Sequence, residues 1–330
     1  MRDVAALAQV SLKTVSRVVN REAGVSPELT ARVTRAAEQL DYRPNLTASS
    51  LRRSDGRTAT IGLLVDDVAN PFFADIHRGV EDVARERGVA IMAASLDRSA
   101  DEADAVRRFA ERRVDGLLLV PTAPDQAYLA TELRSGWPVV CVDRTPVGAY
   151  VDVVVSDNRE ASRRAVAHLI AAGHRRIAAI GDSGMLMTAR DRMEGFREAM
   201  ADAGLAVNER WVRSDVGSLE ESDATVRALM TGADRPTALF AAQNYLTMGA
   251  CRALRQLGLQ HTVGLVGFDD FPMADVLDPG VTVVAQQARR MGGIAAEVLF
   301  DRMDGSTEPP RSLVVPTTLI PRGSGEIPPA

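Results

Sequence analysis

Polar and aromatic side chains follow the ends of successive apolar runs in this sequence. Such residues come after the runs at 61–65, 139–142, 176–180, 238–241 and 263–266. The candidate ligand contacts among them are Asp67, Asn70, Phe72, Phe73, Asp143, Arg190, Gln243 and Asp269. Aromatic faces with a rim of carboxylates, amides and an arginine suit a polyhydroxylated small molecule. These residues therefore predict noncovalent binding of such a ligand.

Each candidate also has a purely structural interpretation. Asp143 and Asp269 could be helix caps, because a carboxylate accepts hydrogen bonds from free backbone N–H groups. Phe72 could be part of the hydrophobic core, and Arg190 and Arg192 could both be solvated helix charges. The residue types alone leave these alternatives open.

The sequence carries no signature of the common catalytic sites. HExxH, a Walker loop and a GxSxG elbow are absent, and GDSG at 181–184 does not match the last of these. Asp66 and Asp67 are adjacent carboxylates, but without a further partner group they are more typical of ligand contacts or caps. His168 and His174 suggest a metal site, yet no third ligand lies nearby in the sequence. We expect no catalytic residue, metal or cofactor.

The elements that must position the ligand contacts alternate along the chain. Runs at 61–65, 89–94, 116–120, 139–142, 176–180, 238–241 and 263–266 predict buried parallel strands. Helices are expected between them, including one opened by Asn70-Pro71 and others at 193–203 and 245–257. The alternation indicates doubly wound α/β sheets, and its recurrence indicates two lobes. Ligands bind beyond the carboxyl ends of such strands, where the candidate contacts fall.

A different pattern, helix-turn-helix followed by a third helix, occupies residues 1–44. The helices are expected at about 3–9, at about 12–20, and from Pro27 behind the cap Ser26. Val15, Val18 and Val19 mark the inward face of the second helix. Its outward face then carries Leu12, Lys13, Ser16 and Arg17. Such a face can enter the DNA major groove, although a small three-helix bundle without a DNA role is the alternative.

Charge favours the DNA interpretation. Lys13 is the only lysine of the chain, and it falls on the outward face. Residues 1–57 hold ten Lys/Arg and six Asp/Glu, whereas the remainder holds 29 and 38, which gives the overall net charge of −5. The basic residues are thus in excess where DNA contact is expected.

The stretch DVAALAQVSLKTVSRVVN, followed by VSPELTARVTRAAEQLDYRPN, resembles the signature of the lactose-repressor (LacI/GalR) family of bacterial transcription regulators. The similarity continues to about Arg322. The resemblance implies that Leu12, Lys13 and Arg17 read bases, and that Thr14, Ser16 and Asn20 contact the DNA backbone. It also implies a hinge helix and linker at 45–57, contacting DNA through Asn45, Ala48 and Leu51. Leu51 would be an apolar wedge in the minor groove. A plain linker is the alternative for this segment.

For residues 58–330 the resemblance implies a core of two lobes similar to periplasmic sugar-binding proteins, with an effector between them. The first lobe would comprise about 58–157 and 286–315, and the second about 158–285 and 316–326. The family places its principal ligand arginine at Arg190 and an acidic partner at Asp269. This chain departs from the family at Gln9, where Gly or Asn is usual, and at Gln243-Asn244, where Asn-Asp is usual. Family members also carry a few residues before Asp3, so the natural start could lie upstream.

We therefore expect a cytoplasmic, ligand-responsive repressor that binds a palindromic operator as a homodimer. The effector is expected to be a sugar, since sugars are the commonest effectors in the family. An enzyme and a sugar-binding transport protein are the alternatives. No apolar run approaches the roughly 20 residues of a membrane span, and no export signal is recognised. The end, GSGEIPPA, is expected to be disordered and carries no heptads that would build a tetramer.

Arg17→Ala should weaken binding to an operator selected from random-sequence DNA by roughly 1–3 kcal/mol and relax the preference at one base pair. The reason is that a guanidinium can donate two parallel hydrogen bonds to one guanine. Fluorescence anisotropy with operator and random duplexes measures both effects. Equal losses on the two duplexes would make Arg17 a phosphate contact instead.

Overall fold

A computed structural model describes residues 1–19, 24–42, 57–96, 101–232 and 234–330. It divides the chain into two compact units, Met1–Ala59 and Thr60–Ala330. The predicted DNA contacts Asn20, Asn45, Ala48 and Leu51 lie outside the described residues, as does almost all of the predicted hinge. None of the helices in the described ranges is both long and apolar enough to span a bilayer.

The first unit contains the three predicted helices: α1 (Arg2–Leu7), α2 (Leu12–Val19) and α3 (Pro27–Gln39). Val4, Val15 and Val33 meet in a small core and are at most 1% exposed. The helix α1 ends earlier than predicted, because Gln9 takes a left-handed conformation with φ 51°. The Ser11 hydroxyl accepts a hydrogen bond from the backbone N–H of Thr14 (3.1 Å) and so caps α2.

The second unit contains two six-stranded sheets. The first sheet has the order β11-β5-β4-β3-β1-β2, with β1 (Thr60–Val65), β2 (Ala90–Ser95), β3 (Leu117–Leu119), β4 (Val139–Val142), β5 (Asp152–Ser156) and β11 (Ser312–Val315). The second has the order β12-β10-β9-β8-β6-β7, with β6 (Ile177–Ile180), β7 (Val212–Arg213), β8 (Ala238–Ala241), β9 (Gly264–Phe268), β10 (Thr282–Ala285) and β12 (Thr318–Ile320). Only β12 pairs in the antiparallel sense among the described strands. The same winding thus occurs twice.

Helices cover both faces of each sheet. They are α4 (Pro71–Glu86), α5 (Glu102–Glu111), α6 (Ala130–Arg134), α7 (Asn158–Ala171), α8 (Met187–Asp202), α9 (Leu219–Met230), α10 (Asn244–Gln256) and α11 (Ala288–Met303). In the first lobe, α4 and α11 pack on one face and α5 on the other. In the second lobe, α7 and α8 pack on one face and α9 and α10 on the other. The predicted doubly wound α/β fold of two lobes is confirmed.

The chain passes between the lobes three times. It leaves the first sheet after β5, returns after β10, and crosses again between β11 and β12. The Asp157 carboxylate ties two of these crossings together, since it accepts hydrogen bonds from the Thr317 backbone N–H (2.8 Å) and from Arg164 Nη2 (2.9 Å). The lobes are therefore joined by short connections and can be treated as two bodies.

Glycines allow paired helices to approach to backbone contact. A Cβ atom at Gly79 of α4 would lie 1.9 Å from the Arg289 carbonyl oxygen of α11, and one at Gly292 of α11 would lie 2.1 Å from the Ile76 carbonyl oxygen. Gly195 of α8 stands in the same relation to the Arg159 carbonyl oxygen of α7, at 2.1 Å. No other residue type could occupy these positions without separating the helices.

The expectation of a disordered C-terminus is wrong. The Glu326 carboxylate accepts hydrogen bonds from Thr282 Oγ1 (2.9 Å) and contacts His168 Nε2, and the Ile327 carbonyl accepts one from the His174 ring (2.8 Å). Thr237 Oγ1 lies 3.0 Å from the other nitrogen of His174. Both histidines therefore hold the terminal segment against the second lobe. Among the described residues, no group of three or more His, Cys, Asp or Glu could hold a metal ion.

Gly292→Ala should destabilise the folded core by roughly 1–3 kcal/mol or more, because the methyl group has to push α4 away from α11. Gly232→Ala is the matched control, since nothing lies within 4 Å of its Cβ position. Urea denaturation measures both variants, and the control should stay within about 0.5 kcal/mol of wild type. Equal stability of the two variants would contradict the backbone contact.

Candidate functional site

A cavity of about 910 Å³ lies where the carboxyl ends of the strands of both sheets meet. Its size falls in the range of small-molecule sites. Seven of the eight candidate contacts line it: Asp67, Asn70, Phe72, Phe73, Asp143, Gln243 and Asp269. Phe72 and Phe73 are also core residues, packed edge to face at a centroid distance of 5.1 Å. The structural and the ligand-contact interpretations of Phe72 are thus compatible.

Asp143 and Asp269 occupy equivalent positions in the two lobes. Asp143 directly follows β4, Asp269 directly follows β9, and both have a left-handed backbone, with φ 70° and 66°. The backbone N–H of Asp143 donates to Val154 of β5 (2.8 Å), and that of Asp269 donates to Val284 of β10 (2.8 Å). Neither residue caps a helix. The geometry instead directs both carboxyl groups into the cavity wall.

Both carboxyl groups are removed from water. Asp143 is 3% exposed and Asp269 is 5% exposed. Burial raises the pKa of Asp143 despite the nearby guanidinium groups of Arg144 and Arg192, and the charge of Asp269 raises it further. Burial likewise raises the pKa of Asp269, against the effects of Arg192 and Gln286. Strongly shifted carboxyl groups in a cavity are typical of a functional site.

One oxygen of Asp143 has no hydrogen-bond partner among the residues that the structure describes. This atom, Oδ1, is buried, whereas Oδ2 lies 3.4 Å from Arg144 Nε. Asp269 differs, because its Oδ1 accepts a hydrogen bond from Gln286 Nε2 at 2.6 Å. Leaving a buried acceptor unpaired costs free energy. A ligand that donates a hydrogen bond to Asp143 Oδ1 would recover that cost.

Arg190 does not reach the cavity, which corrects the position inferred from the family resemblance. Its side chain is exposed and donates to the Gly184 and Met185 carbonyls at 3.1 and 3.0 Å. Arg192 lines the cavity instead, stacked 3.8 Å above the Phe268 ring. The two arginines lie about 200° apart around α8, because successive helix residues are separated by about 100°.

Arg192 is held rigidly by several partners. Its Nε donates to Asn158 Oδ1 (2.7 Å) and its Nη1 donates to the Ala242 carbonyl (2.9 Å). The same Nη1 lies 3.6 Å from Asp269 Oδ2. A guanidinium fixed in this way offers its donors in one orientation and neutralises Asp269.

Negative charge predominates around the cavity. Carboxylates in the described lining are Asp66, Asp67, Asp101, Glu102, Asp143, Asp182 and Asp269, against the guanidinium groups of Arg144 and Arg192. Arg144 pairs with Asp66 at 3.0 Å and also donates to the Pro121 carbonyl at 3.1 Å. The arginines thus leave most of the carboxylates without a cationic partner in the lining. Such a cavity disfavours an anionic ligand.

Glu102 was not predicted as a site residue, and it organises one wall of the cavity. Its carboxylate accepts hydrogen bonds from Thr122 Oγ1 (2.8 Å), the Ala123 backbone N–H (2.9 Å), Gln126 Nε2 (3.0 Å) and the Tyr128 hydroxyl (2.5 Å). Burial, followed by this contact with Glu102, raises the pKa of Tyr128 above its usual range. With so many internal donors, Glu102 supports the wall and is not an open acceptor.

Two candidate contacts reach across the cleft to the other lobe. Asn70 caps α4 and exchanges two hydrogen bonds with Asn244, the first residue of α10. Asp67 accepts a hydrogen bond from the Tyr245 hydroxyl at 3.1 Å. Gln243 caps α10 by accepting from the backbone N–H groups of Tyr245 (2.7 Å) and Leu246 (3.2 Å). These side chains already have protein partners, which their positions in the sequence did not reveal.

In the first unit, most of the outward face of α2 is exposed to solvent. Leu12 is 47% exposed, Lys13 and Arg17 are exposed, and Thr14 and Ser16 are half-buried. Arg32 of α3 donates to the Ala8 carbonyl at 2.7 Å and braces the segment before α2. The face is thus presented on a small, braced scaffold.

Comparison with known proteins agrees with both units. Residues 1–45 match the family described as bacterial regulatory proteins, lacI family, and residues 166–325 match the periplasmic binding protein-like domain. The ribose operon repressor of Haemophilus influenzae is 32% identical over 328 residues, which cover 98% of each chain. The CelR–cellobiose complex, a transcriptional regulator, is 35% identical with a TM-score of 0.74 and covers 98% of this chain and 99% of that one. The lac repressor dimer bound to operator and the anti-inducer ONPF is 25% identical with a TM-score of 0.86, covering 98% of both chains.

Asp143→Asn should raise the free energy of unfolding at neutral pH. Because burial raises the pKa of Asp143 above 3.8, its stabilising contribution is present at low pH and is lost as pH rises through the folded-state pKa. The amide carries no charge to desolvate, so the advantage of the variant should shrink as pH falls towards 3.8. Urea denaturation across this pH range measures the difference. A variant less stable than wild type at neutral pH would show that the charged Asp143 carboxylate does not destabilise the fold.

Asp152→Asn is the control, and its effect on the free energy of unfolding at neutral pH should have the opposite sign. Burial opposes ionisation of Asp152, but hydrogen bonds from Arg302 and from the Arg311 backbone N–H lower its pKa below 3.8. That contribution is present at neutral pH and is lost as pH falls through the folded-state pKa. The variant should therefore be less stable than wild type at neutral pH, by about 1–3 kcal/mol.

Proposed function

The chain belongs to the lacI family of bacterial regulatory proteins, and from that premise we propose that it is a repressor whose operator affinity is set by a sugar bound in the cavity. Family membership makes the chain a DNA-binding transcription regulator and not an enzyme. The sugar and its site are the parts that the proposal adds.

For the DNA side, the proposal assigns residues 1–44 to operator recognition and 45–57 to the hinge. Leu12, Lys13 and Arg17 read bases, while Thr14, Ser16 and Asn20 contact the backbone. Asn45, Ala48 and Leu51 contact the minor groove from the hinge. In the proposal, a cytoplasmic homodimer binds a palindromic operator through two copies of residues 1–57. The similar lac repressor was solved as a dimer bound to operator, which supports this assembly. The excess of basic over acidic residues in 1–57 supports this assignment.

For the core, the proposal assigns the cavity of residues 58–330 to the effector. The observation that carries it is the buried Asp143 Oδ1 in the cavity wall, which has no partner among the described residues and would be satisfied by a hydrogen-bond donor on a ligand. Hydroxyl groups are such donors, and Phe72 and Phe73 offer apolar faces beside them. The similar CelR was solved with cellobiose, which supports a sugar as the ligand class.

The charges of the lining narrow the ligand to a neutral sugar. Seven carboxylates and two guanidinium groups line the described cavity, and the guanidinium groups are engaged with Asp66 and Asp269. A phosphate group would bring further negative charge beside these carboxylates, and like charges repel. We therefore assign the site to unphosphorylated sugars.

A thermal-shift screen of matched pairs, each a sugar and its phosphate ester, tests the ligand class. At least one neutral sugar should raise the melting temperature, by mass action on the folded state, while its ester should not. A shift produced only by an ester would contradict the neutral class. If no sugar and no ester raised the melting temperature, the proposal of a sugar effector would be contradicted.

Asp143→Asn then tests the site with the sugar so identified. Calorimetry should show affinity reduced by roughly tenfold or more, because a hydrogen bond to a charged acceptor is replaced by a weaker one. Arg190→Ala is the control and should bind as wild type does, since that side chain lies outside the cavity. Sugar-free operator affinity should be unchanged in both. Loss of sugar binding in the Arg190 variant alone would place the ligand elsewhere.

A further inference from the structure

Four side chains join the two lobes beside the cavity, and we call them the interlobe clasp: Asp67 and Asn70 of the first lobe, and Asn244 and Tyr245 of the second. Asn70 Nδ2 donates to Asn244 Oδ1 at 3.2 Å, and Asn244 Nδ2 donates to Asn70 Oδ1 at 2.7 Å. The Tyr245 hydroxyl donates to Asp67 Oδ2 at 3.1 Å. The clasp thus consists of three hydrogen bonds across the cleft.

Backbone contacts fix the orientation of both amides. Asn70 Oδ1 also accepts from the Phe72 N–H at 3.0 Å, and Asn244 Oδ1 also accepts from the Tyr245 N–H at 2.8 Å. Each oxygen therefore has both acceptor positions occupied, and each NH₂ group must point to the opposite lobe. Rotating either amide by 180° would place its NH₂ group opposite the other NH₂ group. The assignment of donor and acceptor atoms in the pair is therefore fixed.

Burial makes the pair costly to break. Asn70 is 4% exposed and Asn244 is fully buried. If the amides separated without gaining water, each would carry an unpaired buried donor or acceptor. Opening the cleft therefore has to hydrate both groups. The residue types suit this place, because a neutral amide is cheaper to bury than the aspartate that the family usually has at the position of Asn244.

The second contact remains a hydrogen bond throughout the physiological pH range. Burial, with the charge of Asp67 beside it, raises the pKa of Tyr245 to about 12, so the phenol keeps its proton. Asp67 Oδ1 is occupied by the Ala69 backbone N–H at 2.8 Å. The sequence predicts Asp67 and Asn70 to contact ligand. In the structure, oxygens of both side chains instead accept hydrogen bonds from other parts of the chain.

We propose that the interlobe clasp holds the two lobes closed around the cavity in the absence of ligand, and that Asn70 and Asn244 are positioning residues and not ligand contacts. The covalent links are three short crossings, which permit rigid-body rotation of the lobes. The clasp selects the closed arrangement from that range. The ligand then meets a preformed site and does not have to supply the free energy of closure.

Aspartate substitutions test the clasp because each replaces one NH₂ donor by a negatively charged carboxylate oxygen of similar size. In Asn70→Asp the carboxylate still accepts from Phe72 and from Asn244, and in Asn244→Asp it still accepts from Tyr245 and from Asn70. Each single variant therefore keeps one amide bond. The double variant sets two carboxylates face to face with no donor between them, and their repulsion should open the cleft.

The measurement is the distance between spin labels on the ligand-free full-length chain. Labels are placed by cysteine substitution at exposed Arg112 in the first lobe and exposed Glu220 in the second. Burial raises the pKa of Cys141 and of Cys251, the latter to about 12, so these thiols label slowly. An excess of unlabelled chain ensures that each distance is measured within one subunit.

Wild type should give one short, narrow distance distribution, and each single variant, which loses one amide hydrogen bond, should shift it less than the double variant does. The double variant should raise the ratio of open to closed molecules on the order of tenfold or more, since each lost net hydrogen bond is worth a severalfold change in an equilibrium constant. Acidification should restore closure, because a proton shared between the two carboxyl groups removes the repulsion. Asn208→Asp adds the same charge to the second lobe outside the clasp and should leave the distribution unchanged.

An unchanged distance in a folded double variant, or a broad open distribution in wild type, would overturn the proposal. If the double variant does not fold, Tyr245→Phe takes its place. It removes only the hydroxyl that reaches Asp67, and it should increase the open fraction severalfold; an unchanged distribution would again overturn the proposal. No ligand enters these experiments, so their outcome is independent of whether a sugar is the effector.

Discussion

The core depends on keeping carboxyl groups out of water at the ends of its strands. Asp143 and Asp269 occupy the same place in two sheets of the same winding, each with a left-handed backbone anchored to the neighbouring strand. Burial of this kind costs free energy, and the cost is accepted only where surrounding structure enforces it. The guanidinium groups of Arg144 and Arg192 reduce the cost without removing it. Asp143 Oδ1, which has no partner among the described residues, can accept a hydrogen bond from a ligand.

This constraint explains why the rest of the cavity is built so firmly. Arg192 is fixed by Asn158, by the Ala242 carbonyl and by the Phe268 ring, so that it stays beside Asp269. Glu102 gathers the donors of the opposite wall. The helices behind these residues meet at glycines, with no side chain between their backbones. A rigid wall limits the relaxation that would otherwise hydrate the buried groups.

The sequence predicted the fold class well, because hydrophobic periodicity and caps are local signals. The strands β1, β4, β6 and β8 and the cap Asn70 follow from such signals. The strand β5 was missed because it opens with Asp152, a buried charge whose partner Arg302 lies 150 residues away. The C-terminal segment was misjudged for the same reason, since Glu326 and Ile327 find partners on distant elements.

Of the cavity, the sequence indicated the strand ends but not the direction of each side chain. Arg190 and Arg192 could not be distinguished until the register of α8 was known, because residues two apart lie on opposite sides of a helix. The pairing of Asn70 with Asn244 joins residues 174 positions apart, which no local pattern encodes. The predicted contacts at the hinge lie outside the described residues.

We propose that sugar binding in the cavity and operator binding by residues 1–57 are energetically coupled. Linkage requires any such coupling to be reciprocal. Calorimetric titration of the neutral sugar into free protein and into protein saturated with operator measures it directly. Coupling would give two different dissociation constants, whose ratio equals the factor by which saturating sugar changes operator affinity. Identical dissociation constants in the two titrations would contradict it.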